Sequence, residues 1–201
     1  MNGPAAVNGI VGIARALDFA ARKHAHQRRK GLKAEPYVNH LTEVALLLAE
    51  ASGGADPALV MAGLLHDTIE DTETTLEELE AAFGADVAAL VAEVTDDTSL
   101  PREERKRRQV QSAPIRSVRA RMIKLADKTA NLHSIHESPP VGWSSRRKRE
   151  YVAWAREVAA ACGPTNERLE AAFDAAARAL EKQGRWGGSG SRENDPTGGQ
   201  P

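Results

Sequence analysis

Cysteine is nearly absent. Cys162 is the only thiol in 201 residues, so no intrachain disulfide can form, a thiolate-rich structural zinc site is excluded, and a reducing compartment is predicted. Aromatic residues make up only 4% of the chain and β-branched runs are few, which argues against a sheet-built core. No uncharged apolar run is long enough to cross a bilayer, and Met1 to Ala16 lacks a basic start followed by an apolar stretch. A soluble, cytoplasmic protein without a membrane partner follows. Charge of one sign is missing too: 27 Lys and Arg against 28 Asp and Glu leave a net charge of −1, which excludes the broad basic field of a nucleic-acid binder. Basic residues are dense only locally, at Arg28-Arg29-Lys30 and from Arg102 to Arg108. Such patches suit a small polyanion, although a charge run on a helix is commonly a solvated face.

Alanine and leucine are abundant, and apolar residues recur at three- and four-residue intervals in segment after segment, which predicts an all-α, compact multi-helix domain. A first helix is predicted from Ile10 to Arg28, with Ile13, Leu17, Ala20 and Ala21 inward. A second starts near His40 and buries Val44, Leu47 and Leu48. Asp56-Pro57 supplies a capping carboxylate and an N-terminal proline to a helix that delivers His66-Asp67. Thr75 and Glu78 form a capping box ahead of a short helix closed by Gly84, and Ala85 to Val94 forms another. Pro101 opens a highly charged helix that Pro114 ends. Ser117 to His136 follows, with Val118, Met122, Leu125, Ala126 and Leu132 inward. Ser145 to Ala161 and Thr165 to Lys182 complete the set, giving one domain over residues 1–183. From Gly184 onward glycine, serine, proline and charge dominate, and residues 184–201 are predicted to be a disordered tail.

Three of these segments carry metal-ligand residue types: His40, the pair His66-Asp67, and Asp127. Two imidazoles and two carboxylates suit Mn²⁺ or Fe²⁺ and leave octahedral positions open for hydrolysis. A lone histidine or aspartate is more often merely hydrogen-bonded. His66-Asp67, however, directly follows the apolar run Met61 to Leu65, and a charge buried there needs a partner or a metal.

The segments Tyr37-Val38-Asn39-His40, Leu64 to Thr72 (LLHDTIEDT), Glu93 to Asp97 (EVTDD) and Lys124 to Leu132 (KLADKTANL) resemble the hydrolase domain of RelA/SpoT proteins, in particular the stand-alone small alarmone hydrolases. The resemblance spans about Ala14 to Leu180 in matching order and spacing. It implies an HD-domain hydrolase fold, His40, His66, Asp67 and Asp127 as ligands of one Mn²⁺ ion, and Glu70 and Asp71 as the catalytic acidic pair. If the helix continues past Asp67, Glu70 lies one turn on and can orient or deprotonate the attacking water. The implied reaction is hydrolysis of the 3′-pyrophosphate of guanosine 3′,5′-bis(diphosphate), ppGpp, or of pppGpp.

Arg29 and Lys30 match the family's basic pair near the substrate, Tyr37 and Asn39 precede the first ligand and shape the pocket, and Lys128 and Asn131 flank Asp127. The chain departs from its relatives at Leu41, Thr98 and Thr129-Ala130. These changes leave open the choice among ppGpp, pppGpp and another nucleotide, such as one bearing the 2′-phosphate of NADPH. A catalytically silent alarmone-binding module is the other alternative, and the intact ligand and acidic residues argue against it. No second, synthetase domain is expected, and the oligomeric state is unknown from sequence.

Overall fold

The computed structural model describes residues 9–186. These form ten α-helices: α1 (Gly9–Lys23), α2 (Val38–Ala51), α3 (Pro57–Leu65), α4 (Thr68–Asp71), α5 (Leu76–Phe83), α6 (Ala85–Val94), α7 (Arg102–Ser112), α8 (Val118–Glu137), α9 (Ser145–Cys162) and α10 (Glu167–Trp186). A 3₁₀ turn at Ala113–Ile115 links α7 to α8. No strand is present among the described residues, so the all-α expectation holds.

The cap predicted at Asp56 forms, the Thr75–Glu78 capping box forms only its Thr75 half because the Glu78 carboxylate pairs with Lys23 instead, and Ser117 adds a cap that was not predicted. Asp56 accepts the Leu59 N–H at 2.9 Å, Thr75 accepts from Glu78, and Ser117 accepts from Ala120. Two helices sit at the centre. In α3 every residue from Leu59 to Leu65 is buried, and in α8 every residue from Met122 to Ala130 is buried. Burial on all sides means that other helices surround them: α1, α2 and α6 pack on α3, and α2, α6, α9 and α10 pack on α8. Small residues allow this closeness. A Cβ on Gly63 would run into the Leu48 side chain. His66-Asp67 directly follow α3 and Asp127 lies on α8, so the most buried helices of the described residues position these candidate ligands.

Four local expectations are corrected. The first helix ends at Lys23 rather than Arg28, because His24 turns inward, pairs through Nδ1 with Gln27 and stacks on Tyr37 at 5.1 Å. Residues 24–37 then fold back on themselves through an Arg29 N–H to Glu35 carbonyl bond of 2.8 Å. The inward face of α1 is Gly12, Ala16 and Ala20, leaving Leu17 at 38% exposure, since the smallest side chains allow the close approach to α3. Val118, in the first turn of α8, is 48% exposed. At the other end of the chain α10 runs through Trp186, past Gly184, and the remainder of the expected tail lies outside the described residues.

Candidate metal centre and nucleotide cavity

α3 stops at Leu65, the chain turns through His66 and Asp67, and α4 adds a single turn to Asp71. The expected continuous helix is therefore broken at the ligand pair. The break swings both side chains toward α2 and α8. His66 Nε2 lies 3.1 Å from Asp67 Oδ2 and 3.8 Å from Asp127 Oδ1, and His40 Nε2 lies 3.7 and 3.3 Å from the same two atoms. One ligand atom each from His40, His66 and Asp67 falls within 4.8 Å of the others, and Asp127 reaches both imidazoles from α8.

The donor chemistry fits a divalent ion. Both Nε2 atoms are buried and make no hydrogen bond, although carboxylate oxygens lie close by. His66 Nδ1 donates to the Gly63 carbonyl at 2.8 Å, which turns Nε2 into the group; burial opposes protonation there, but the Asp67 and Asp127 carboxylates outweigh it and raise the imidazole's pKa to about 10, so a cation binding at Nε2 would displace a proton. Neighbouring side chains hold the carboxylates, Tyr37 and Asn131 through the same oxygens that face the imidazoles and Lys128 through the far oxygen of Asp127. Tyr37 Oη donates to Asp67 Oδ2 at 2.6 Å, Asn131 Nδ2 to Asp127 Oδ1 at 2.6 Å, and Lys128 Nζ to Asp127 Oδ2 at 2.7 Å. Burial opposes ionisation of Asp127, but Lys128 and the two histidines outweigh it and hold the carboxyl well below its usual range. Burial likewise keeps the Tyr37 hydroxyl protonated, with the Asp67 charge adding to the effect, so it remains a donor. Burial lowers the pKa of His40, which favours the neutral, metal-binding imidazole.

Glu70 is half-buried, and its Oε1 accepts the Asp96 N–H at 2.5 Å. Burial raises its pKa to about 7, partly offset by the Lys124 ammonium. Asp96 is itself tied to Lys124 at 3.4 Å, to Arg116 at 3.9 Å and to Gln109. Asp71 is more exposed, and its pKa is also raised by burial and by the Asp67 charge.

Beside this group lies a cavity of about 390 Å³ lined by Arg29, Lys30, Tyr37, Asp71, Lys128 and Asn131. Arg29 donates to Asn131 Oδ1 at 2.7 Å and lies 5.5 Å from the Tyr37 ring centre. Lys128 is buried, with its ammonium on Asp127 and under the Trp154 ring at 4.7 Å, so its charge is already spoken for. Asn39 does not line this cavity. It shares a recess with Glu43 and His133 on another side of His40.

Residues outside the predicted set complete the lining: Arg102, Arg105 and Lys106 from α7, and Trp143, Tyr151 and Trp154 from the segment that includes α9. A compositional signal for the aromatics was present. Four of only eight aromatic residues, Tyr37 among them, gather at this one cavity.

An all-helical fold that brings two imidazoles and two carboxylates together from separate helices defines a histidine–aspartate domain, a scaffold for a divalent metal. The chain belongs to the HD domain family, with the match running over residues 16–156. It is 50% identical over 158 residues to the guanosine-3′,5′-bis(diphosphate) 3′-pyrophosphohydrolase MESH1 of Mus musculus, covering 79% of this chain and 88% of the relative. It is 51% identical to the Homo sapiens MESH1 over the same shares. A solved structure, described as a metazoan ortholog of SpoT that hydrolyzes ppGpp and plays a role in starvation responses, superposes with a TM-score of 0.80 at 42% identity, covering 89% of this chain and 97% of that one.

Proposed function

We propose that this chain hydrolyses the 3′-pyrophosphate of ppGpp and pppGpp, releasing GDP or GTP and pyrophosphate, with Mn²⁺ as its ion. The observation that carries the reading is the pair of buried, unbonded Nε2 atoms of His40 and His66 facing Asp67 and Asp127 at the edge of a cation-lined cavity. The named activity of relatives about 50% identical over most of the chain supports the choice of substrate. No helix among the described residues is long and apolar enough to span a membrane, and the free, buried Cys162 agrees with a cytoplasmic site of action.

His40, His66, Asp67 and Asp127 would hold the ion, while Tyr37, Asn131 and Lys128 fix the two carboxylates in place. An ion held there would supply polarisation of a phosphoryl oxygen and a lowered pKa for water. Glu70 takes the proton of the attacking water. Its pKa of about 7 lets it be ionised in the resting enzyme and still hold a proton in the transition state. The Asp96 N–H fixes one of its oxygens and leaves the other for the water. Asp71, with its raised pKa and its place on the cavity wall, returns a proton to the departing ribose oxygen. Arg29 and Lys30 bind substrate phosphate or base, while Lys128 is better read as a partner of Asp127 than as a contact to substrate.

The test is a product assay. Metal-stripped protein is inactive, and Mn²⁺ restores release of GDP and pyrophosphate from ppGpp better than Mg²⁺, which prefers an all-oxygen shell. Turnover of NADPH but not of ppGpp by the Mn²⁺ protein would overturn the assignment of substrate.

A further inference from the structure

Helix α7 fully buries none of its residues and packs on the rest of the protein through Val110, against Val158 and Cys162 of α9, which leaves its cationic residues free to line the cavity wall. Its basic residues divide between two faces. Arg107 and Arg108 turn onto Glu104 at 2.7 and 3.1 Å. Arg102, Arg105 and Lys106 follow the i, i+3, i+4 spacing that aligns side chains on one face, and they line the cavity. Arg105 makes no ion pair among the described residues, and its Nε is buried without an acceptor. Lys106 meets exposed Glu103 at 3.6 Å and the Trp154 ring at 5.4 Å. Trp154 Nε1 donates to the Lys106 carbonyl at 3.2 Å, which pins α7 to α9 and fixes where these cations point.

The carboxylates nearby do not use up this charge. Asp96 is engaged by Lys124, Arg116 and Gln109, and Asp71 adjoins the ligand group. Arg102 is also the first residue of an eleven-residue helix, whose positive end adds to the field. The cavity thus has one set of cations on the loop carrying Arg29 and Lys30 and a second on α7.

We infer that Arg102, Arg105 and Lys106 form a second anion subsite, which binds the 5′-pyrophosphate of a nucleotide whose 3′-pyrophosphate lies at the ligand group. The inference rests on the function proposed above. Arginine at the centre suits the task, because its fork can bind two phosphate oxygens at once.

The experiment compares ppGpp with guanosine 3′-diphosphate bearing a free 5′-hydroxyl, using the full chain loaded with Mn²⁺. Arg105→Ala raises KM for ppGpp roughly ten- to a hundredfold, the effect of losing a charge-assisted contact, while KM for the 5′-hydroxyl nucleotide moves less than about twofold. Arg107→Ala, which removes a cation from the outward face, matches wild type on both. An Arg105→Ala enzyme with unchanged KM for ppGpp, or with equal increases for both nucleotides, overturns the subsite. Wild-type protein that turns over neither nucleotide would sink the proposed function instead. The subsite is then decided by calorimetry of inorganic pyrophosphate on metal-stripped protein: binding weakened about tenfold by Arg105→Ala supports it, and binding that is absent or equal in both proteins refutes it.

Discussion

Replacing Glu70 by Gln separates the cost of burying a carboxyl from its use in catalysis. The substitution keeps the side-chain shape, and the Asp96 N–H can still donate to the amide oxygen. What disappears is the ionisable group, whose pKa burial raises from 4.5 to about 7. A carboxyl with a raised folded-state pKa makes the native state bind more protons than the unfolded chain between those two values. Stability therefore falls as pH rises through that window. At 1.36 kcal/mol per unit the full shift corresponds to about 3 kcal/mol, and the partial solvent access of Glu70 reduces this to roughly 1–3 kcal/mol. Glu70→Gln should thus match wild-type stability at about pH 4, below the unfolded-state pKa, and exceed it by that amount above about pH 8, measured by urea unfolding of metal-stripped protein. Its single-turnover rate on saturating ppGpp, with metal occupancy confirmed, should fall roughly a hundredfold. The wild-type rate should fall as pH drops below about 7, where Glu70 becomes protonated. A stability difference that stays flat across this pH range would refute the burial argument. An unimpaired single-turnover rate would remove Glu70 from the chemistry.

Lys128→Met leaves Asp127 buried without its ammonium partner, so the metal-stripped protein should lose about 3–5 kcal/mol in chemical denaturation; a loss below about 1 kcal/mol would show that the pair is not structurally important. Arg29→Ala removes both the contact to Asn131 and a cavity cation, and should raise KM for ppGpp roughly tenfold or more with little change in kcat; an unchanged KM would return Arg29 to the solvated surface. Gly31→Ala places a methyl against the Ser138 carbonyl and hydroxyl, beneath the loop that presents Arg29 and Lys30. That loop should shift and KM should rise, at a stability cost of about 1–3 kcal/mol seen in denaturant unfolding; wild-type kinetics would show that the loop yields freely.

Helix order, helix class and most caps were legible in the sequence because they depend on neighbours a few residues apart. Asp56-Pro57 and Thr75 each close a local hydrogen bond that needs no tertiary partner. The grouping of the candidate ligands was legible for a different reason. His40, His66, Asp67 and Asp127 stand in recognisable local motifs, and the family resemblance groups those motifs before any distance is known. Three-dimensional packing alone decided which apolar face of α1 turns inward, that α3 breaks at His66-Asp67, and that the charge of Lys128 is spent on Asp127. It also placed the cations of α7 and the aromatics of the α9 segment around the same cavity as Arg29, although more than 70 residues separate them in sequence. Local pattern determines how each helix forms, because its energies act within a turn or two. Which helix faces share a cavity depends on long-range burial and charge pairing, which no single window of sequence contains.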